Sequence, residues 1–110
     1  MLTTTTHGHH TVITPHGDID HDTLTDLLDA LPPLPTTVTH LTWDFEQALF
    51  LDVAGLHLLI QQRHACRAAG RTLTITGLTR QPRHLLDLAQ ELFPTEHFDD
   101  FLPAPSTTAA

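Results

Sequence analysis

Apolar and polar residues change their spacing along this chain, and each change predicts an element. Met1 to His10, MLTTTTHGHH, is rich in Thr and His and reads either as a flexible start or as a short edge strand turning at Gly8. Thr11 to His16 is strand-like through Val12 and Ile13, with Pro15 marking an edge or a bend. Gly17 to Asp20 turns the chain, and Leu24, Leu27, Leu28 and Leu31 then recur at helical spacing, which predicts a helix over His21–Leu31 capped by Asp20 or Asp22. Pro32, Pro33 and Pro35 stop it. Thr36 to Trp43 alternates Val38, Leu41 and Trp43 with polar residues and predicts a strand.

The run Ala48 to Leu51 ends at Asp52, a favoured helix cap, so a second helix is expected from about Val53 to Ala69. Leu56, Leu59, Ile60 and Cys66 form its main stripe with the stem of Arg63 between them, and Leu58, Ala65 and Ala69 a smaller one. Gly70 ends it, Arg71 to Thr76 is a third strand with Leu73 and Ile75 on one face, and Gly77 and Leu78 turn again. A third helix is expected over Gln81–Leu92, with Thr79 as cap, Pro82 in the first turn and Leu85, Leu88, Ala89 and Leu92 inward. Phe93 to Leu102 holds Phe98 and Phe101, enough for a short strand or a docked loop, and PAPSTTAA has no apolar stripe. Strand and helix alternate with short turns, which predicts an α/β domain with a mainly parallel sheet covered by helices.

Size and charge narrow the function. A chain of 110 residues makes one domain and buries roughly 65% of its unfolded surface, so it folds without disulfide or metal. The single Cys66 cannot bridge internally, and the longest apolar candidate for a membrane span, Ala48 to Ile60, is broken by Asp52 and His57. With no signal peptide either, a cytoplasmic protein is the expectation. The formal charge is -8, and all five basic residues are arginines at positions 63, 67, 71, 80 and 83. An acidic first half and near-neutral second half disfavour nucleic acid.

Four motifs in register carry a family likeness. Trp43-Asp44, followed eight residues after that Asp by Asp52-Val53-Ala54-Gly55-Leu56, resembles the signature of STAS domains, the anti-sigma-factor antagonist modules. Gly17-Asp18-Ile19-Asp20 resembles their G-E-L/I-D element, and Ala68-Ala69-Gly70-Arg71 and Arg83-His84-Leu85-Leu86-Asp87-Leu88 follow in order. The resemblance covers about residues 11–93 and implies a single STAS-like domain over 11–102, a mixed sheet with helices on one side, an N-terminal segment 1–10 and a disordered tail 103–110. In the family a last strand and a last amphipathic helix usually follow here, whereas PAPSTTAA has no apolar stripe, so the final helix is expected to be missing and the sheet's end uncovered or covered by something else. In regulated members the Ser two residues after the Asp is phosphorylated by a partner kinase that is also the anti-sigma factor. Here that position is Ala54, which has no hydroxyl.

Other chemistry is weaker. Among the ten histidines, His7, His9, His10, His16 and His21 cluster in sequence, but a flexible tract supplies neither the geometry nor the outer contacts of a zinc site, so no metal or cofactor is expected. His57 and His64 are expected at the surface. Cys66 with His64 or His97, and Asp18 with Asp20, are the available catalytic pairs. Cys66 falls on the core stripe, where a thiol is inert, and the two Asp residues suit a turn and a cap, so no enzyme is expected. The free N–H groups after Asp52 could hold an anion, but Asp52 itself is placed to occupy them. Protein binding remains. The resemblance implies a docking surface of Asp20, Asp52, Val53, Ala54, Gly55 and Leu58, independent of phosphorylation, for an anti-sigma factor of the serine-kinase type. A STAS accessory subunit of a lipid-transport ATPase is the alternative, and a degenerate scaffold or homodimerisation domain another.

Overall fold

The computed structural model describes residues 2–102. Strands β1 (Leu2–His7), β2 (His10–Pro15), β3 (His40–Asp44) and β4 (Thr72–Thr76) form one sheet in sequence order, with helices α1 (His21–Asp29), α2 (Val53–Ala68) and α3 (Arg80–Leu92) and two 3-10 turns, Pro94–Glu96 and Phe98–Phe101. β1 and β2 are antiparallel, joined across Gly8 at φ +60°, the positive φ that a two-residue hairpin needs and glycine adopts freely. β2 with β3 and β3 with β4 are parallel. The first segment is thus an edge strand where the sequence left a choice. The second predicted strand begins later than expected, because Val38 closes a turn onto the Pro35 carbonyl (3.1 Å) before the ladder starts at His40.

Strand alternation assigns the two faces. Ile13, Leu41 and Trp43 are buried beneath the helices, with Leu73 and Ile75 half-buried on the same side. Trp43 is wholly buried and its indole N–H donates to Gln62 Oε1 on α2 (3.2 Å), which satisfies the one polar atom of the ring. The other face carries threonines and histidines and, among the described residues, no helix: His10 and His40 lie side by side in register, with Thr42 and Thr74 in the next row. All three helices therefore cover a single side of a mixed sheet, as expected.

Two helical faces need correction. Pro82 is buried and fixes the phase of α3, so Leu86 and Ala89 point inward while Leu88 and Leu92, expected inside, are exposed. On α2 the inner residues are Gly55, Leu56, Leu58, Leu59 and Cys66, whereas Ala65 and Ala69 face outward. The smaller stripe is therefore reduced to Leu58, which belongs to the core.

After α3 the described chain continues only as the two 3-10 turns. They bring Phe98 and Phe101 into the core, and Arg63 of α2 holds them. Its guanidinium donates to the carbonyls of Glu96 (2.8 Å) and His97 (2.9 Å) and to the Asp100 carboxylate (3.1 Å), and lies 4.9 Å from the centre of the Phe101 ring. The docked-loop reading of this segment is the one observed. The expectation for residues 103–110 lies outside the described residues.

Candidate functional site

Both α1 and α2 start at the same end of the sheet, because a single parallel bridge between Ile19 and Leu51 sets the two preceding loops side by side. Ile19 N–H donates to the Phe50 carbonyl (3.0 Å) and Asp52 N–H returns to the Ile19 carbonyl (3.2 Å). Each helix is capped by its Asp. Asp20 Oδ1 accepts from the N–H groups of Asp22 and Thr23, both at 2.9 Å, and the Thr23 hydroxyl accepts from the Asp20 N–H at 3.0 Å, a reciprocal capping box. Asp52 Oδ1 accepts from Ala54 N–H at 2.7 Å, and its Oδ2 accepts from His21 N–H at 3.3 Å. One carboxylate therefore serves the starts of both helices, and its oxygens already fill the place an anion would take.

The loop before Asp52 is held from below. Gln81 on α3 accepts from Leu51 N–H and donates to the Leu51 carbonyl, both at 2.8 Å, as if it were a neighbouring strand. Gly55 packs against Leu51: a Cβ there would lie 2.9 Å from Leu51 Cδ2, so a larger residue would force the buried Leu51 side chain to shift.

What this end offers to solvent is apolar skin over an acidic rim. Leu49, Phe50 and Val53 are 63%, 42% and 61% exposed, and Ala54 is half-buried beside them. Asp18 and Asp22 stand exposed around the patch, with Asp20 and Asp52 half-buried. Two residues of the expected surface cannot contribute side-chain contact: Leu58 is 1% exposed inside the core, and Gly55 is turned onto Leu51. Leu49 and Phe50 were missed. Their signal was an apolar pair in a loop directly ahead of a capping Asp, where no strand follows to bury it. Gln81 left no such signal, since its partner lies 30 residues away.

The other candidate chemistry is scattered. Cys66 is buried, and that burial pushes its thiol pKa up, against a smaller opposite pull from the Arg71 charge. His57 and His64 are exposed on α2, and His7, His10 and His40 run across the open sheet face while His16 bonds Thr3 at its far end. Among the described residues no three His, Cys, Asp or Glu side chains are grouped to hold a metal ion, and no helix is long and apolar enough to cross a membrane.

Known proteins place this architecture. The solved structure of the anti-sigma factor antagonist SpoIIAA in its unphosphorylated form is similar with a TM-score of 0.65 at 19% identity, over 86% of this chain and 84% of that one. The crystal structure of Mglu matches with a TM-score of 0.61 at 19% identity, over 72% of this chain but only 20% of Mglu. No curated protein sequence matches. A family profile described as "Mlab, STAS domain" matches residues 2–90, most of the chain, and the chain therefore belongs to the STAS domain family.

Proposed function

We propose that this chain is a non-catalytic docking module that binds a protein partner through the end where α1 and α2 begin, and that it does so without a phosphorylation switch. The observation that carries this reading is the exposed Leu49, Phe50 and Val53 surface around a helix start at which Ala54 stands. Exposed apolar side chains in a patch mark interaction sites, and this one sits on backbone fixed by Asp52 and Gln81, so little ordering is required on binding. Ala54 gives the surface a small neutral centre with no oxygen to accept a phosphoryl group. The partner class we favour is an anti-sigma factor of the serine-kinase type, in a cytoplasmic regulatory complex. An accessory subunit of a transport ATPase would use the same surface, and Ala54 suits that role equally.

The test is calorimetric titration of the chain and its variants against a purified partner of each class. Ala54→Asp puts about one charge where a phosphate would carry 1.5 to 2. Desolvating it in a close contact should weaken binding by a few kcal/mol, roughly a hundredfold or more, while an acidic residue in the first turn of α2 leaves melting nearly unchanged. Ala54→Ser should fold and bind normally. Unchanged affinity of Ala54→Asp with intact melting sinks the proposed surface. Incubation with the kinase-type partner and ATP should leave residues 48–58 of the natural chain unmodified, and phosphate on Thr42 or another nearby Thr would show a displaced switch.

A further inference from the structure

At the far side of the sheet no strand among the described residues pairs with the outer edge of β4, and most of the chain's arginines are gathered near it. Thr72 N–H donates to the Thr39 carbonyl (2.9 Å) and the Thr76 carbonyl accepts from Phe45 N–H (2.9 Å), so the even-numbered residues of β4 are spent on β3. In a parallel ladder the alternate residues then aim their N–H and C=O groups the other way, which leaves Leu73 and Ile75 presenting theirs outward. Their side chains are half-buried and form the floor of two clefts, about 280 Å³ and 240 Å³, that meet at Ile75 and together follow the strand. Arg63, Arg67 and Arg71 line the first together with the carboxylate of Asp100, and Arg83 lines the second, where the Asp44 carboxylate lies against Gly77. Four of the five cations in a chain of net charge -8 thus border one strand edge.

We propose that the β4 edge is a second binding site, which takes an extended segment of another protein as an added strand, with apolar side chains over Leu73 and Ile75 and an acidic side chain at each end. The unpaired edge supplies main-chain hydrogen bonds, the half-buried floor takes alternate side chains, and the arginines select charge. The cluster is asymmetric: Arg63 and Arg71 are engaged with backbone carbonyls, whereas Arg67 is 67% exposed and meets Asp100 only at 3.5 Å. Arg67 is therefore the cation that discriminates at the α2 end, and Arg83 at the α3 end. Charge also decides between occupants. Neither residues 103–110, PAPSTTAA, nor the other strand edge, Leu2–His7, contains an Asp or Glu side chain, so neither this stretch nor β1 of a second copy offers an acidic side chain at each end.

The probe is a fluorescein-labelled peptide, Glu-Thr-Val-Thr-Val-Thr-Glu, titrated by polarisation against the full chain, with Lys in place of both Glu as control. The acidic probe should bind at least tenfold tighter than the basic one, and Arg67→Glu and Arg83→Glu should each weaken it by about tenfold or more with melting unchanged. Peptides N-methylated at both Val or at the internal Thr residues test the added strand, since only the set whose N–H groups face β4 should abolish binding. Hydrogen exchange supplies a readout on the protein side: Leu73 and Ile75 amides should gain protection with the peptide, and Thr74 should not change. Equal affinity for both peptides, tolerance of both methylated sets, or Leu73 and Ile75 amides already protected in a free dimer or by residues 103–110 would each overturn the assignment.

Discussion

Asp52 does the work of two caps. Its carboxylate closes α2 on Ala54 and reaches the first N–H of α1 at His21, so Asp52→Ala unpairs donors in two helices. A single lost cap costs about 1 kcal/mol, and the double role raises the expectation to about 2 kcal/mol. For a domain of this size that lowers Tm by several degrees, which thermal unfolding followed by circular dichroism will register. Asp52→Asn, which keeps one acceptor oxygen, should recover much of the loss. Cys66 makes a separate prediction through pH. Because burial raises its folded pKa above the unfolded value, the neutral thiol's share of stability is whole below about pH 8.5 and is lost as pH rises through the raised value. Urea midpoints of the natural chain should therefore fall more steeply between pH 8 and 10 than those of Cys66→Ala, even though the variant is weaker at pH 7. Both roles were legible beforehand, since a cap and a core stripe are local patterns. Asp52's reach to His21 was not, because it depends on a loop pairing between residues 19 and 51.

At the scale of elements, Arg63 replaces packing that the sequence does not provide. The last two turns are short and 3-10 in form, with poor internal hydrogen bonding, so they are held mainly by what they touch. One guanidinium, 13% exposed, binds two of their carbonyls and Asp100 and lies over the Phe101 ring. Arg63→Ala should cost about 2–3 kcal/mol, and hydrogen exchange at residues 98–102 should accelerate well before the sheet opens. Arg63→Lys should rescue little, since a compact ammonium cannot span two carbonyls and a carboxylate at once. The sequence placed Arg63 on the inner side of α2 and the aromatics in a docked segment, but not their contact. A similar limit explains α3. Its leucines allow two inward faces about one residue apart in phase, and only the docking of Pro82 selects Leu86 over Leu88. Gln81, in the same turn, then reaches Leu51, so Gln81→Ala should loosen the loop before Asp52 and speed amide exchange at Leu51 while leaving Trp43 buried.

At the scale of the whole molecule, charge is unevenly placed along the chain, and this bears on how a partner arrives. No Lys or Arg precedes Arg63, and Asp18 and Asp22 stand exposed next to the Ile19–Leu51 bridge on the α1 side of the apolar patch, whereas Arg80 and Arg83 flank Gln81 on its α3 side. If that end is the docking surface, a partner basic opposite the α1 side complements it, and charge and apolar contact should divide the kinetics between them. Long-range attraction acts during approach and is screened beyond about 10 Å at 0.1 M salt, whereas the contact of Phe50, Leu49 and Val53 acts only once water is excluded. Asp18→Asn with Asp22→Asn should therefore slow association several-fold at low salt and lose its effect at 0.5 M, with dissociation nearly unchanged. Asp20 and Asp52 are unsuitable for this test because they also cap helices. Phe50→Ala should do the reverse, speeding dissociation by about tenfold or more while leaving association and its salt dependence alone. Surface plasmon resonance across a salt series separates the two. If the Asn pair changes only dissociation, or if Phe50→Ala leaves both rates untouched, the partner approaches another face, and the exposed residues at the start of α2 have a different purpose.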